Sequence, residues 1–302
     1  MSLSRESTMI ENAQSDGLKH NKIIFSVAIT TCLILYSTFI FWTRMPTTIE
    51  KISNKNTINS PEVLSALHKI KVTSLNTEYW HSSEKELVEE INYADMDFVL
   101  LQEHLNQVGD KHFPTNRIPQ LKKAISDRYI SFNGEVVTIS KSPSVLHRNF
   151  GDGTALRTDH MLEDGKIISV YNVHLPVHLH FDLFTTPLTF ITDMRTLVPI
   201  RENLIDALKA DILSNTNYIV IGGDFNTSIA MNSISWLRDN LVDVFSAPHC
   251  EFQYGTWILG NILSWRIDYI FTSRNITPQS YCTKQVNHIS DHSAIYSELY
   301  LN

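Results

Sequence analysis

The residues of this chain that could do chemistry sit at the ends of short apolar runs. The clearest run is Tyr218 to Thr227, Y-I-V-I-G-G-D-F-N-T, where strand formers lead through Gly222 and Gly223 to Asp224 and Asn226. A spacing of two on an extended chain sends both side chains off one face. A carboxylate and an amide then meet at a strand mouth, where they can grip a cation, a water or a phosphate. The two glycines are expected to end the strand and let backbone crowd a substrate. The plainer account is an Asp/Asn-rich turn after a buried strand. The arrangement recurs, however. Asn76 closes K-I-K-V-T-S-L-N, Glu103 follows D-F-V-L-L-Q, and His174 closes Y-N-V-H. Asp268 is embedded in W-R-I-D-Y-I-F, and Asp291 and His292 precede S-A-I. Singly, Asn76 could be a turn residue, His174 a satisfied core histidine, and Asp268 the partner of Arg266 in a structural ion pair. As a set they share one explanation. A buried carboxylate is costly unless it is paired or bound to metal, and hard cations prefer carboxylate and amide oxygens over thiols.

Regular elements must deliver these residues. Lys69–Leu75 alternates with period two, and Asp97–Leu101, Glu135–Ser140, Lys166–Val173, Arg266–Phe271 and Ser293–Leu301 read as further strands. Ser83–Glu86 (S-E-K-E) is a capping box that opens a helix through about Tyr93, with Leu87, Val88 and Ile91 on its apolar face. Pro199 is expected to open a helix reaching Leu213, with Ile200, Leu204, Ile205 and Leu208 as its stripe. Another helix falls near Ser233–Leu241. Strands interspersed with helices, without a repeat or an internal linker, predict a single α/β domain with two layers of sheet.

The chain ahead of this domain is different in kind. Residues 1–22 are polar and aperiodic, which predicts a disordered tail. Ile23–Trp42 then runs for twenty residues without a charge, long enough for a bilayer core, with Trp42 where an interfacial aromatic belongs. The run is too long, and lacks the small-residue cleavage site, for a signal peptide. We therefore expect a membrane anchor at 23–43, a tether at 44–66 and a folded domain at 67–302. Lys19 and Lys22 immediately before the span favour a cytoplasmic N-terminus and an extracytoplasmic domain.

Charge narrows the partners. The formal net charge is −7. Acids and bases balance within residues 1–43, so the domain carries the excess. That is a poor match for tight, sequence-independent DNA binding, which rests on Lys and Arg contacts to phosphates. The cysteines, Cys32, Cys250 and Cys282, lack a C-x-x-C spacing, which argues against a zinc site. Cys250 and Cys282 are expected to be unrelated buried thiols, with pairing the alternative in an oxidising compartment.

The ordered series SLN, LQE, NVHLP, GGDFN, RIDYIF and SDHSAI resembles the endonuclease/exonuclease/phosphatase superfamily, of deoxyribonuclease I-like fold, over about residues 69–301. The resemblance implies a four-layered α/β sandwich, two packed β-sheets flanked by helices, here preceded by the transmembrane segment. It also implies phosphoester hydrolysis dependent on Mg²⁺, with Mn²⁺ or Ca²⁺ as alternatives. Carried over block by block, Asn76 and Glu103 would bind the metal with Asp291 nearby. Asp224 would orient or deprotonate the attacking water, and Asn226 would hold the phosphate. His292, oriented by Asp268, would contact the phosphate or share the base role, while His174 would assist at the leaving oxygen. The expected substrate is a phosphoester, either nucleic acid cut with low sequence specificity or a phospholipid head group. Sphingomyelinase-like, phospholipase C-like or inositol-phosphate phosphatase activity is the alternative. A non-catalytic, membrane-anchored binding module is the alternative of another class. The bilayer at 23–43 is the other expected partner, and no obligate protein partner is implied.

Two features depart from the family's pattern. The 50 residues from His174 to Asp224 are many for it, and Val177–Pro199 is apolar and aromatic, reading either as extra core or a covering helix, or as a lid or a lip touching substrate or lipid. The carboxylate that nucleases of the family place beside the first histidine has no clear motif here; Glu135 is the candidate.

Overall fold

Strand polarity and alternation build the domain. The computed structural model describes residues 68–80, 83–93, 95–108, 111–115, 117–177, 187–229, 232–250, 255–259 and 263–302. The expected tail, the membrane anchor and the tether lie outside the described residues. Among the described residues, no helix is long and apolar enough to cross a membrane.

Two mixed sheets form the centre. The first runs β15 (Ile276–Pro278), β17 (Ser293–Leu301), β1 (His68–Asn76), β2 (Phe98–Gln102), β6 (Val136–Ser140), β5 (Tyr129–Asn133), with β16 (Cys282–Gln285) also paired to β17. The second runs β11 (Val242–Asp243), β14 (Asp268–Thr272), β10 (Tyr218–Asp224), β9 (Ile167–His174), β8 (Ala155–Met161), β7 (Ser144–Phe150). Short hairpins β3/β4 (Asn106–Val108 and Lys111–Thr115) and β12/β13 (Trp257–Leu259 and Leu263–Trp265) stand apart from both. Each sheet contains a parallel pair, β1 with β2 and β9 with β10. Parallel neighbours need a crossover, and α1 (Glu84–Asn92) and α3 (Pro187–Ser214) supply the two.

Alternation along the strands separates three apolar layers. Ile70, Val72, Phe98 and Leu100 of one sheet meet Ile168, Val170, Val220 and Ile270 of the other. The opposite side of the first sheet packs Val99, Leu101 and Val137 against Leu87 and Ile91 of α1 and Ile118 and Leu121 of α2 (Ile118–Ala124). The outer side of the second packs Tyr171, Val173, Ile219 and Ile221 against Leu204, Leu208 and Ile212 of α3 and Leu237 of α4 (Ser235–Asn240). The order is helix, sheet, sheet, helix. The capping box is formed: the Glu86 amide donates to Ser83 Oγ at 3.3 Å, and the Ser83 amide to Glu86 Oε2 at 3.0 Å.

Three expectations are corrected. Helix α3 begins at Pro187 rather than Pro199, which lies inside it. The favourable first-turn position belongs to the earlier proline, and the apolar segment is helical from Pro187 onward. Gly222 and Gly223 do not end their strand, because β10 runs through Asp224. At Gly223 (φ +142°) a Cβ would lie 1.8 Å from the Val173 carbonyl oxygen, so the glycine admits the neighbouring strand and not a substrate. Finally, Cys250 and Cys282 form a disulfide, with Cα atoms 5.0 Å apart.

Candidate active site

Register assembles the site. Asp224 ends β10 opposite His174 of β9 on one side and Asp268 of β14 on the other. In the first sheet Asn76 ends β1 opposite Gln102, and Glu103 follows. The two sheets therefore offer their polar strand ends at a common edge. Beneath that edge an amide pair joins them: Gln102 Nε2 donates to Asn172 Oδ1 at 2.7 Å, and Asn172 Nδ2 donates to the Leu101 and Val137 carbonyls at 3.1 and 2.8 Å.

Asp224 is the centre of the cluster. It is 1% exposed. Asn76 Nδ2 donates to its Oδ2 at 3.0 Å and to Glu103 Oε1 at 2.9 Å. Two imidazoles flank the same oxygen, His174 Nε2 and His292 Nε2 each standing 3.9 Å from it. Each imidazole is oriented from behind by a carboxylate. His292 Nδ1 lies 2.9 Å from Asp268 Oδ2, and His174 Nδ1 lies 2.8 Å from Glu135 Oε2. Such contacts fix the ring orientation, with Nδ1 donating and Nε2 directed into the site. The Asp268–Arg266 ion pair is not the arrangement adopted: Arg266 reaches Asp243 instead. Glu135, in the turn between β5 and β6, is the partner of His174 that carried no motif of its own.

The electrostatics follow from this crowding. Burial opposes charge on His174, but its hydrogen bonds to Glu103 and Glu135 and the nearby Asp224 push its pKa up to about 10. Burial likewise opposes charge on His292, and Asp268, Asp224 and Asp291 push it up to about 10. Asp224 is pushed up to about 6 by burial and by the Asp268 charge, against the pull of both histidines and the Asn226 amide. Burial acts to raise Glu103 as well, yet hydrogen bonds from His174 and Asn76 leave it below the ordinary carboxylate value. Near neutral pH the site thus pairs two imidazolium ions with a set of carboxylates.

The rest of the predicted set lies at the rim. The Asn226 amide donates to Asp224 Oδ1 at 2.7 Å, and its Nδ2 donates to the Leu175 carbonyl at 2.9 Å. Asp291 accepts from Trp257 Nε1 at 2.6 Å and approaches His292 Nε2 at 3.9 Å. Among the described residues it is not seen to touch Asn76 or Glu103. Trp257 stacks on Trp265 with centroids 5.4 Å apart, and the Asp291 amide donates to Glu78 Oε2 at 3.1 Å. Backbone strain also gathers here. Glu78, Tyr79, Trp80, Glu103 and Asn226 all hold positive φ, between 46° and 58°, a conformation that costs non-glycine residues roughly 1–2 kcal/mol each. Sequence inspection missed Glu78, Trp257 and Arg201, whose guanidinium lies behind the site; only the proximity of Trp257 to the R-I-D-Y block could have drawn attention to any of them.

The donor set suits a hard divalent cation. Glu103, His174 and Asp224 bring one ligand atom each to within 4.8 Å of one another, as do Asp224, Asp268 and His292. Carboxylate oxygens held close together at a strand edge are the ligands such ions prefer. Asn76 turns its side-chain nitrogen toward these carboxylates and its Oδ1 toward the Glu78 amide at 2.9 Å, so ligation by Asn76 requires its amide to rotate.

Comparison with known proteins places the chain. The profile of the endonuclease/exonuclease/phosphatase family matches residues 73–292, and the chain belongs to that family. It is accordingly a phosphoric ester hydrolase, of a family whose members generally depend on divalent metal. A search of curated proteins found no match in sequence. Among solved structures, the chain is similar to an endonuclease/exonuclease/phosphatase from Bacteroides vulgatus, with 14% identity, TM-score 0.60, and 78% of this chain and 100% of that one covered. A mannosyl-6-phosphatase from Bacteroides thetaiotaomicron is similar over 76% of this chain and 99% of its own, with 15% identity and TM-score 0.53. A 3′ phosphatase from Neisseria, bound to product DNA hairpin, is similar over 76% of this chain and 98% of its own, with 16% identity and TM-score 0.54. At these identities the likeness shows the shared fold.

Proposed function

We propose that this hydrolase is a membrane-anchored, Mg²⁺-dependent phosphodiesterase, acting foremost as a nuclease of low sequence specificity. The observation that carries the reading is Asp224, buried between two carboxylate-oriented imidazoles and facing Glu103. Glu103, with Asn76 beside it and Asp291 at the rim, would hold Mg²⁺, which when bound would neutralise charge on the non-bridging oxygens of the phosphoryl group. The chain's own groups do the rest. Asp224, ionised above about pH 6, accepts the proton of the attacking water. His292, charged and held by Asp268, binds a phosphoryl oxygen, and Asn226 adds a polar contact at the rim. His174 presents a protonated Nε2 to the leaving oxygen and can release its proton there.

A second reading, hydrolysis of a lipid head-group phosphodiester, is favoured by the rim. Glu78, Asp291 and Trp257 lie there, whereas a nucleic-acid groove is lined by lysine and arginine. Turnover by the full chain of plasmid DNA, RNA and sphingomyelin vesicles, with Mg²⁺ and with EDTA, separates the two. Glu103→Ala should abolish metal-dependent turnover while leaving the fold intact; unchanged turnover in that variant sinks the metal assignment.

Residues 23–43 anchor the chain in this reading, with the domain outside the cytoplasm. The Cys250–Cys282 disulfide supports that side, since structural disulfides persist in oxidising compartments. Protease added to intact cells should digest the domain and spare a cytoplasmic control. Survival until permeabilisation would mean the reverse orientation.

A further inference from the structure

Helix α3 sets Arg201 directly behind the candidate site. The side chain is almost wholly buried, at 1% exposure. Its Nη1 donates to the Pro176 carbonyl at 2.7 Å and its Nη2 to the Phe225 carbonyl at 2.6 Å. These carbonyls belong to the two segments that leave the catalytic strands. Pro176 lies just beyond His174, and Phe225 lies between Asp224 and Asn226. The segments also touch directly, the Leu175 amide donating to the Asp224 carbonyl at 2.9 Å and Asn226 Nδ2 to the Leu175 carbonyl at 2.9 Å.

A guanidinium spent on main-chain carbonyls is unusual chemistry for a buried cation, which ordinarily requires a charged partner. Its planar fork can reach two acceptors at a fixed separation, which the single ammonium of lysine cannot reproduce. Burial draws the Arg201 pKa down to about 10, against the nearby charge of Asp224, which acts to raise it. Its Nη2 thus meets the backbone of the residue that follows Asp224.

We infer that Arg201 is a positioning residue for phosphoester hydrolysis, clamping the His174 segment to the Asp224–Asn226 segment from behind. The inference rests on the roles proposed above for His174 and Asp224. Displacing a reacting group by about 1 Å costs roughly 100-fold in rate, so the separation of these segments bears on turnover more than on substrate affinity.

The test uses the full chain in mild detergent with bis(p-nitrophenyl) phosphate and Mg²⁺. Arg201→Lys should lower kcat about 30- to 100-fold and change KM less than about threefold. Arg201→Ala should fall at least as far, and millimolar guanidinium should restore its kcat at least about fivefold, while methylammonium restores nothing. Should Arg201→Ala not fold, Arg201→Lys decides alone. A readout without substrate accompanies the kinetics: the hydrogen-bonded Nδ1 proton of His174, seen downfield in the proton spectrum, should shift or broaden in Arg201→Lys. Wild-type turnover absent on the diester defeats the proposed function, and the His174 proton then still reports on the clamp. Arg201→Lys with wild-type kcat, or with an unmoved His174 proton, overturns the inference.

Discussion

Glu135 and His174 meet across the two sheets: Oε2 of the first lies 2.8 Å from Nδ1 of the second. The carboxylate comes from the β5–β6 turn of one sheet and the imidazole from the end of β9 in the other. That turn is itself held in place, the Glu135 amide donating to the Gly153 carbonyl at 2.8 Å. The relationship makes the orientation of a candidate catalytic group depend on how the sheets are stacked.

Glu135→Gln keeps the shape of this contact and removes its charge. Turnover should fall about 10- to 100-fold, the usual consequence of losing the group that orients a functional histidine. Stability should respond with a definite sign. His174 has its pKa raised in the fold, to about 10, so the pair's contribution is complete below the ordinary histidine value and is lost as pH rises through about 10. In EDTA the variant should be about 1 kcal/mol less stable than wild type at pH 6, a figure discounted because Glu135 is partly exposed. The difference should close toward pH 10. Urea midpoints across that range make the measurement, and a gap that widens with pH contradicts the assignment.

Asp224→Asn should trade activity for stability. The carboxylate titrates near 6 in the fold against an ordinary 3.8, so its ionised form is penalised in the native state above about pH 6. Without metal, the asparagine variant should gain about 1–2 kcal/mol at pH 8 and nothing at pH 4. Turnover should drop at least about 1,000-fold. Thermal unfolding in EDTA at the two pH values checks the sign, and a variant less stable than wild type at pH 8 would falsify this view of the buried carboxylates.

Tyr79 tests the strain beside Asn76. It holds φ 58° and ψ 23° within a turn whose three residues are all left-handed. Tyr79→Gly should stay within about 1 kcal/mol of wild type, since relief of strain offsets lost contacts. Tyr79→Val, β-branched at positive φ, should be at least about 1–2 kcal/mol less stable. Equal midpoints for the two variants would mean that the turn relaxes freely.

The disulfide predicts a redox-dependent stability. Cys250 and Cys282 are 32 residues apart in sequence, and opening a loop of that size costs about 2–4 kcal/mol. Dithiothreitol should lower the unfolding midpoint accordingly, and Cys250→Ser should match the reduced protein and ignore the reductant. A midpoint indifferent to reductant in the wild-type chain would count against a structural role.

Much of this architecture was legible because its signals are local. The S-E-K-E box, the alternating run ahead of Asn76 and the buried run ahead of Asp224 each declare their element within a few residues. The site was legible for a related reason: its groups stand at strand ends, where apolar pattern gives way to a carboxylate, an amide or a histidine. What stayed hidden depends on distant chain. Glu135 follows no apolar run, so it could be named as a candidate partner of His174 only through the family's pattern, and the contact itself forms only when the sheets stack. Arg201 reads as one polar position on an amphipathic helix until two loop carbonyls converge on it. The cysteine pair was misjudged because a sequence separation of 32 carries no sign of its closure. Pro199 misled because proline marks a helix start on average, whereas α3 tolerates one in its interior.

Strand β1 has a practical corollary. The chain enters the sheet at His68, paired with Leu301, and delivers Asn76 at the other end, roughly 26 Å away at the rise of an extended strand. Entry and exit of the sheet therefore share a pole, and the candidate site occupies the opposite one. A bead, a fluorophore or a second enzyme grafted beyond β17 is thus attached at the pole away from the candidate site.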